Sequence, residues 1–549
     1  MKKKWALPLA LMVALTTTTV GCSSNDTSSD ADGADKDTKA KQEINIAFRS
    51  EPEVLDMSKA TAEESFTMIN AFGEGLYRLD ADGNPQPAMA AAMPEISEDG
   101  KTYTIKIRDN AVWADGSPVT ANDFVFSWKR TLDPKTGAQY AFMMDMWIKG
   151  AEDYNTGKVK TADNVGVTAV DDKTLKVELT TPVPFFTGQL AFPIFFPEKQ
   201  EFVEKAGEKF GADADTVLSN GPFILDKWDH EAQLVFKKND KYWDADNVSL
   251  EQVTFQIIPD QNSALNMYDT GDVDITEINR EQVLTWKDKP DYKAVPTLFD
   301  YSLRFNQEKV PAFANKNIRK AITMAIDRQG MVDTVLGNGS KPATGDVPYG
   351  TLDGSNHEFR QTAGDTEPAY DPDKAQELLK KGLEELGLKK MPTFTMIGDD
   401  DEVAKKSMEF IQAQLKQNLG LEPNVQNIPK KLRLDKQSSM EYDMIAPSRW
   451  GADYNDPMTF LDLWITNSPF NTVGWSNKEY DDLIAAAKVE TDAKKRTQMM
   501  VDAEKILMDE MPIGPLFFLG RSYLERPSIE GLFFPATGTQ YEFRWASVK

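Results

Sequence analysis

The side chains that most often perform catalysis or bind metals are scarce in this sequence. Its 549 residues include two histidines, His230 and His357, and one cysteine, Cys22. Zinc sites of the HExxH or CxxC kind need paired ligands, and an α/β-type serine hydrolase needs a G-x-S-x-G motif, which is absent. Both histidines lie in polar segments typical of exposed loops. We therefore expect no catalytic residue, no metal and no cofactor.

Two acidic motifs imitate functional ones but lack essential parts. Asp269-Thr270-Gly271 spells the tripeptide of aspartic proteases, whose chemistry needs a second copy to supply a facing carboxyl group, and the chain has none. Residues 80–84 resemble a calcium loop, but Pro85 replaces the turn glycine, so the motif predicts a hairpin turn. A phosphate-binding G-x-x-x-x-G-K-[ST] loop is also missing. Any ATP-driven step therefore needs another chain.

The amino-terminal segment has the layout of an export signal. Lysines at 2–4 precede an apolar run at 5–15, which is shorter than the roughly 20 residues that span a bilayer. The small residues that follow end in Thr19-Val20-Gly21-Cys22, which resembles the lipobox of bacterial lipoproteins. This interpretation makes residues 1–21 a lipoprotein signal peptide and Cys22 the acylated anchor, with fatty-acid chains such as palmitate. In the alternative, cleavage falls nearby and Cys22 is an unpaired thiol.

Composition narrows the class of protein further. The formal net charge of -25 argues against a nucleic-acid partner, because phosphate binding needs a cationic surface. A single cysteine permits no internal disulfide, so the core must stabilise the fold. Residues 22–42 lack large apolar side chains and predict a flexible tether. The remaining chain is long enough for more than one domain.

Strand-like and helix-like segments alternate through that remaining chain. Alternating apolar residues and flanking turns predict strands at 44–48, 103–107 and 174–179. A 3.6-residue apolar period predicts helices, several opening after Asn or Asp, at 121–131, 315–335, 373–386, 402–418, 478–489 and 493–510. The predicted fold class is therefore mixed α/β.

The longest recognisable motif occupies residues 92–128 and contains TYTIKIRDNAVWADGSPVTANDFVFSW. It resembles the signature of the family 5 solute-binding proteins, the peptide- and nickel-binding receptors of ABC importers. The other landmarks of that family lie at 72–76, 219–223, 241–243, 268–274, 304–306, 317–321 and 450–457. Together they cover essentially all of residues 42–549, and the resemblance is greatest to the oligopeptide-binding members.

The resemblance implies a two-lobed periplasmic-binding-protein fold of type II, cluster C, with a hinge and an extra subdomain on lobe I. Carried over, lobe I takes residues 43–73, 198–300 and 521–549, the subdomain 74–197 and lobe II 301–520. A lobe built from separate segments requires chain crossings at the hinge, which permit closure about a few backbone residues. The implied function is to capture oligopeptides and deliver them, as a monomer, to the permease and ATPase subunits of an ABC importer.

A receptor for varied peptides must recognise what all peptides share, namely an ammonium, a run of amides and a carboxylate. An enclosed ammonium needs an anion, and extended amides can pair with a strand edge. The resemblance implies that Asp453 is that anion and that Tyr140 contacts the peptide backbone near its amino terminus. It places Arg449 and Gly451 beside the ligand, whereas Trp450 is compatible with either core or pocket.

The far end of the expected peptide site departs from the family pattern. Thr61 replaces an acidic residue, with Glu63 nearby. The candidates for binding the peptide carboxylate are Lys430, Lys431, Arg433 and Arg449. Solvated surface charges are an equal alternative for these four, so the preferred peptide length stays open.

Several rival functions remain at this stage. Within the family they are a dipeptide receptor, a nickel-chelate receptor, which two scattered histidines suit poorly, and a receptor for peptide pheromones. From other classes they are a surface peptidase and a chaperone-like protein. The predicted lipid anchor implies a location on the extracellular face of the cell membrane, as in a Gram-positive organism.

Overall fold

The structure, a computed structural model, describes residues 40–354 and 357–549. Strands and helices alternate along the described chain, which confirms the predicted α/β class. Cys22, the signal peptide and most of the tether lie outside the described residues. Among those that are described, no helix combines the length and the apolar character needed to cross a bilayer.

The strands range in length from two residues to two long strands of more than ten residues each. In chain order they are β1 (Glu43–Phe48), β2 (Tyr77–Leu79), β3 (Pro85–Pro87), β4 (Glu95–Ile96), β5 (Thr102–Lys106), β6 (Val167–Asp171), β7 (Thr174–Glu178), β8 (Phe223–Asp229), β9 (Gln233–Lys238), β10 (Gln252–Ile257), β11 (Ile275–Glu277), β12 (Tyr292–Phe305), β13 (Lys341–Pro342), β14 (Thr395–Asp399), β15 (Asn424–Ile428), β16 (Met444–Gly451), β17 (Ile513–Glu525), β18 (Ile529–Glu530) and β19 (Ser547–Val548).

The α-helices are joined by loops and short 3-10 turns. In chain order they are α1 (Glu63–Phe72), α2 (Ala121–Leu132), α3 (Phe142–Asp145), α4 (Ala151–Asn155), α5 (Phe186–Gln189), α6 (Gln200–Ala206), α7 (Gln261–Thr270), α8 (Arg280–Trp286), α9 (Lys316–Met324), α10 (Arg328–Met331), α11 (Phe359–Ala363), α12 (Pro372–Glu385), α13 (Glu402–Leu419), α14 (Lys430–Ser438), α15 (Met458–Leu461), α16 (Lys478–Val489) and α17 (Ala493–Glu510). A π-helical turn, Val332–Leu336, follows α10.

Several helices begin at an Asn or Asp, as predicted. The side chains of these residues accept hydrogen bonds from backbone N–H groups of the first turn, at Asn315, Asp371, Asp401, Asn477 and Asp492. The prediction of a single helix over 315–335 is wrong, because α9 ends at Met324. Asp327 begins the next helix by accepting the Gly330 N–H at 2.9 Å. An internal cap thus divides a continuous apolar pattern.

The motif at residues 80–84 is a hairpin turn between β2 and β3, as predicted. The Asp80 carboxylate accepts backbone N–H groups of Asp82 at 3.0 Å and Asn84 at 2.9 Å. His230 also lies in a turn, between β8 and β9, where its exposed ring pairs with Glu51. The turn positions of both were predicted from the local sequence, whereas the pairing of His230 with Glu51 was not.

Within the described residues, eleven strands form one large sheet. Its order is β15-β14-β16-β12-β17-β11-β1-β10-β9-β8, with β13 beside β17. β1 is parallel to β10 and β11, and β14 is parallel to β15 and β16. The smaller antiparallel sheet β4-β5-β7-β6 is formed by residues between 95 and 178.

Two long antiparallel strands, β12 and β17, join the two halves of the large sheet. Tyr292 pairs with Leu524 at one end and Arg304 with Ile513 at the other, and the register is irregular between Pro296 and Asp300. One buried apolar cluster draws on residues 44–275 and 523–546, whereas two others draw on residues 298–513 and 303–517. The two strands therefore connect parts of the molecule that have separate cores.

Candidate functional site

Strand β16 leads directly to Asp453 and has one open edge. β12 pairs with β16 as far as Gly451, but β14 pairs only with its first residues, Met444 and Ile445. From Ser448 to Gly451 the other edge has no strand partner among the described residues. The buried Ser448 hydroxyl also has no hydrogen-bond partner there. This edge offers backbone groups to an extended chain.

Asp453 is a half-buried carboxyl group at the end of that edge. Its backbone N–H donates to the Thr459 hydroxyl at 3.2 Å, which orients the residue. Burial, and secondarily the carboxylate of Asp462, raise the pKa of Asp453 to about 7. Lys488, which lines the same cavity as Asp453, lies with its Nζ 3.4 Å from Asp462 Oδ2 and so pairs with Asp462. A ligand ammonium would therefore supply a counter-charge for Asp453.

Tyr140 lies across a cavity from β16. It belongs to a 3-10 turn, Gln139–Ala141, and is held between Phe66 and Phe192, with ring centroids 5.4 and 5.9 Å away. Burial and the Asp453 charge raise the pKa of the Tyr140 hydroxyl to about 12, so it stays a hydrogen-bond donor at neutral pH. The structure thus brings Tyr140 and Asp453 together.

The cavity between these residues has a volume of about 640 Å³ and is also lined by Trp450 and Phe470. The Trp450 indole N–H donates to the Thr459 carbonyl at 3.0 Å, and its ring meets Phe470 edge-on at 5.0 Å. Trp450 is half-buried, and it both lines this cavity and packs against a buried apolar cluster, so the core and pocket alternatives each describe part of its position. The cavity volume of about 640 Å³ lies within the usual range for ligand pockets.

A smaller cavity of about 140 Å³ lies on another side of Asp453. There the Phe185 ring stacks on Tyr454 at 4.4 Å, and the Arg496 guanidinium lies 5.6 Å from the Phe185 ring centre. Arg496 also makes two hydrogen bonds to the buried Asp456, at 2.7 and 2.8 Å. These contacts fix the loop that carries Asp453.

Arg449 and Gly451 contact Phe299 on the neighbouring strand. The exposed Arg449 guanidinium lies 5.1 Å from the Phe299 ring centre. A Cβ atom on Gly451 would lie 2.2 Å from a Phe299 ring atom, so this position needs glycine for close packing. Neither residue lines the 640 Å³ cavity.

The residues predicted for the far end of the peptide site do not line the 640 Å³ cavity. Glu63 begins α1 and binds Arg521 of β17 through two hydrogen bonds, at 2.7 and 3.1 Å, in a separate cavity of about 450 Å³. Thr61, two residues earlier, is half-buried and does not line that cavity. Arg433, a candidate for the peptide carboxylate, instead binds Asp399 at 2.7 Å.

Sequence reasoning missed Asp462 and Phe470 as parts of the site. Asp462 follows the short helix α15, and Phe470 lies in a loop rich in polar and turn residues. No local motif marks either of them, because their importance comes from the Asp453 carboxyl and the Trp450 ring that they approach.

Comparison with known proteins identifies the family. Residues 84–472 match the model for the bacterial extracellular solute-binding proteins, family 5 Middle. The chain belongs to family 5. The oligopeptide-binding protein OppA of Bacillus subtilis is 37% identical over the whole of both chains. The dipeptide-binding protein DppE of the same organism is 36% identical over 99% of each.

A solved structure of a family 5 member agrees with the fold. Listeria monocytogenes OppA bound to peptide shares 41% identity, with a TM-score of 0.73 over 93% of this chain and 99% of that one. The predicted two-lobed periplasmic-binding-protein fold is therefore confirmed. The family is thus one of extracellular solute-binding proteins, and the Bacillus subtilis relatives OppA and DppE are peptide-binding proteins.

Proposed function

We propose that this protein captures oligopeptides between its two lobes and delivers them to the permease and ATPase subunits of an ABC importer. The observation that carries the proposal is the half-buried Asp453 carboxyl, which forms no ion pair with another described residue and stands at the end of an open strand edge. The relatives OppA, an oligopeptide-binding protein, and DppE, a dipeptide-binding protein, support it.

The ligand's ammonium binds Asp453 and its backbone pairs with β16. Enclosing an unpaired ammonium costs several kcal/mol, and Asp453 offsets that cost while Asp462 remains paired with Lys488. The open edge from Ser448 to Gly451 accepts peptide amides without reading side chains. Such recognition suits a receptor for many sequences.

Closure occurs about β12 and β17. Their irregular pairing between Pro296 and Asp300 provides the place where backbone angles change. The proposed lobes keep the ranges given above: lobe I at 43–73, 198–300 and 521–549, the subdomain at 74–197, and lobe II at 301–520.

The proposed location is the outer face of the cell membrane, with Cys22 as lipid anchor and residues 23–42 as tether. A lipidated receptor of this kind suits a Gram-positive cell, and both relatives from Bacillus subtilis are consistent with such a source. A monomer, with one ligand per chain, is the expected functional unit.

Calorimetry with peptides that differ only at the amino terminus tests the ammonium role. We expect Asp453→Asn to weaken binding of a free-amine peptide by about 10- to 100-fold, since charge-assisted hydrogen bonds contribute about 1.5–3 kcal/mol. The N-acetylated peptide should bind the parent protein as weakly as the free-amine peptide binds the Asp453→Asn variant. Equal affinities for the two peptides would exclude Asp453 as the ammonium site.

A length series and a mass measurement separate the rival functions. Tight binding confined to dipeptides would favour a dipeptide receptor. Peptide mass should be unchanged after incubation with the protein, and a cleaved product would instead favour a peptidase. Mass spectrometry of peptides that co-purify with the protein would report the natural length and sequence bias.

A further inference from the structure

The walls of the 640 Å³ cavity are mostly apolar. They come from two distant parts of the chain, residues 139–146 and 450–470, with Lys488 at one side. The side chains that matter for its chemistry are Tyr140, Phe142, Met146, Trp450, Leu463 and Phe470. Such a surface favours apolar ligand groups, because burial removes apolar area from water on both sides.

Two of these side chains are unusually exposed for their size. Met146 is 45% exposed and Phe470 is 49% exposed, and both line this cavity. Large apolar groups that converge on one cavity mark a contact surface more strongly than scattered ones do. Methionine adapts its shape to varied partners, which suits a subsite for more than one kind of apolar side chain.

The charged groups of the cavity oppose charged side chains. Asp453 is reserved for the ligand ammonium, and Asp462 already pairs with Lys488 at 3.4 Å. With both carboxyl groups and Lys488 paired in this way, a charged side chain of the ligand would enter an apolar cavity without an opposite charge left to pair with it among these three groups. Alanine, in turn, would leave most of a 640 Å³ cavity unfilled.

We infer that this cavity is a specificity subsite that selects a large apolar side chain at the first or second residue of the bound peptide. The inference rests on the proposed function, because the Asp453 carboxyl holds the ligand ammonium at the edge of the same cavity. A peptide whose ammonium binds Asp453 and whose backbone follows β16 places its first side chains beside Trp450. The charge at Asp453 and the apolar walls together favour one occupant, an apolar side chain near the amino terminus of the peptide.

Two sets of tetrapeptides test the inference by calorimetry. In the first set, the first residue is Ala, Leu, Phe, Lys or Glu. In the second set, the second residue varies over the same five types. All remaining residues in both sets are Ala. At one of the two positions we expect Leu and Phe to bind at least about tenfold more tightly than Ala, which is the discrimination typical of apolar pockets. Lys and Glu should bind no more tightly than Ala.

The possible failures are distinguishable. If peptides bind but affinities at both positions stay within about threefold of the alanine peptide, or if Lys or Glu binds most tightly, the subsite is refuted while the proposed function stands. If no free-amine peptide binds, the proposed function itself fails and the subsite fails with it.

Variants of the exposed wall provide a second measurement. Met146→Ala and Phe470→Ala should each reduce the preference for Phe over Ala at the selected position by about threefold or more, while the alanine peptide binds within about twofold of the parent. Met93→Ala is the matched control, since Met93 is 49% exposed and does not line the cavity. An undiminished preference in Met146→Ala, at a residue that is 45% exposed, would contradict the inference even if Phe470→Ala failed to fold.

Discussion

Acid should weaken the binding of free-amine peptides because it protonates Asp453. In the empty protein, burial and the Asp462 carboxylate raise the pKa of Asp453 to about 7. The complex with an ammonium keeps this carboxyl ionised. The empty protein therefore holds a proton that the complex does not, so binding releases protons and low pH opposes it.

The magnitude follows from the pKa of Asp453, about 7. At that value, roughly half of the Asp453 carboxyl groups are ionised at pH 7 and about 3% at pH 5.5. The apparent affinity should therefore fall roughly 16-fold over this interval, with close to one proton released per peptide at pH 5.5. The peptide amine remains protonated across the interval, so its own titration contributes little.

Calorimetry at several pH values, in buffers with different ionisation enthalpies, measures both the affinity and the proton release. Asp453→Asn should lose most of the pH dependence, because the amide does not titrate. Asp462→Asn should move the fall in affinity to lower pH, because it removes the like charge that raises the Asp453 pKa. An affinity that is independent of pH in the parent, or an undiminished dependence in Asp453→Asn, would refute the reasoning.

Three further predictions concern stability. Gly451→Ala should lower the free energy of unfolding, measured by urea titration, by about 1–3 kcal/mol, because the new Cβ overlaps Phe299. Gly188→Ala is the control and should change the free energy of unfolding little, because its new Cβ meets no neighbouring atom within 4 Å. Arg496→Met should cost about 3–5 kcal/mol by leaving the buried Asp456 unpaired, and a loss below about 1 kcal/mol would contradict this. A free-amine peptide at 100 times its Kd should add about 2.7 kcal/mol, seen as a higher Tm, and the N-acetylated peptide at the same concentration should add far less.

The longer helices were largely predictable because their signals are local, whereas the short helices α3 and α15, which line the cavity, were not predicted. The predicted helices at 402–418 and 493–510 correspond to α13 and α17, and each begins at an Asp that accepts a backbone N–H of its own first turn. The error over 315–335 has a local cause too. Asp327 caps a new helix inside an apolar pattern that continues across it, and periodicity alone does not register such a break.

The site was predictable only in part. The resemblance to family 5 pointed to Asp453 and Tyr140, which the structure places at one cavity. Their roles in binding remain predictions. Neither the resemblance nor any motif indicated that Glu63 pairs with Arg521, because the two residues are 458 positions apart. A charge pair of that kind depends on where β17 crosses the molecule.

The sequence by itself determined the α/β class, the positions of several long helices and of three strands, and the poverty of catalytic side chains, because periods, caps and residue types are local properties of the chain. Tertiary structure decided the properties of the cavity. It placed Asp462 near Asp453, which helps to raise the pKa of that carboxyl, and it brought Met146 and Phe470 to a common cavity. Electrostatic and hydrophobic effects depend on distance and burial, and those are set only when remote segments pack together.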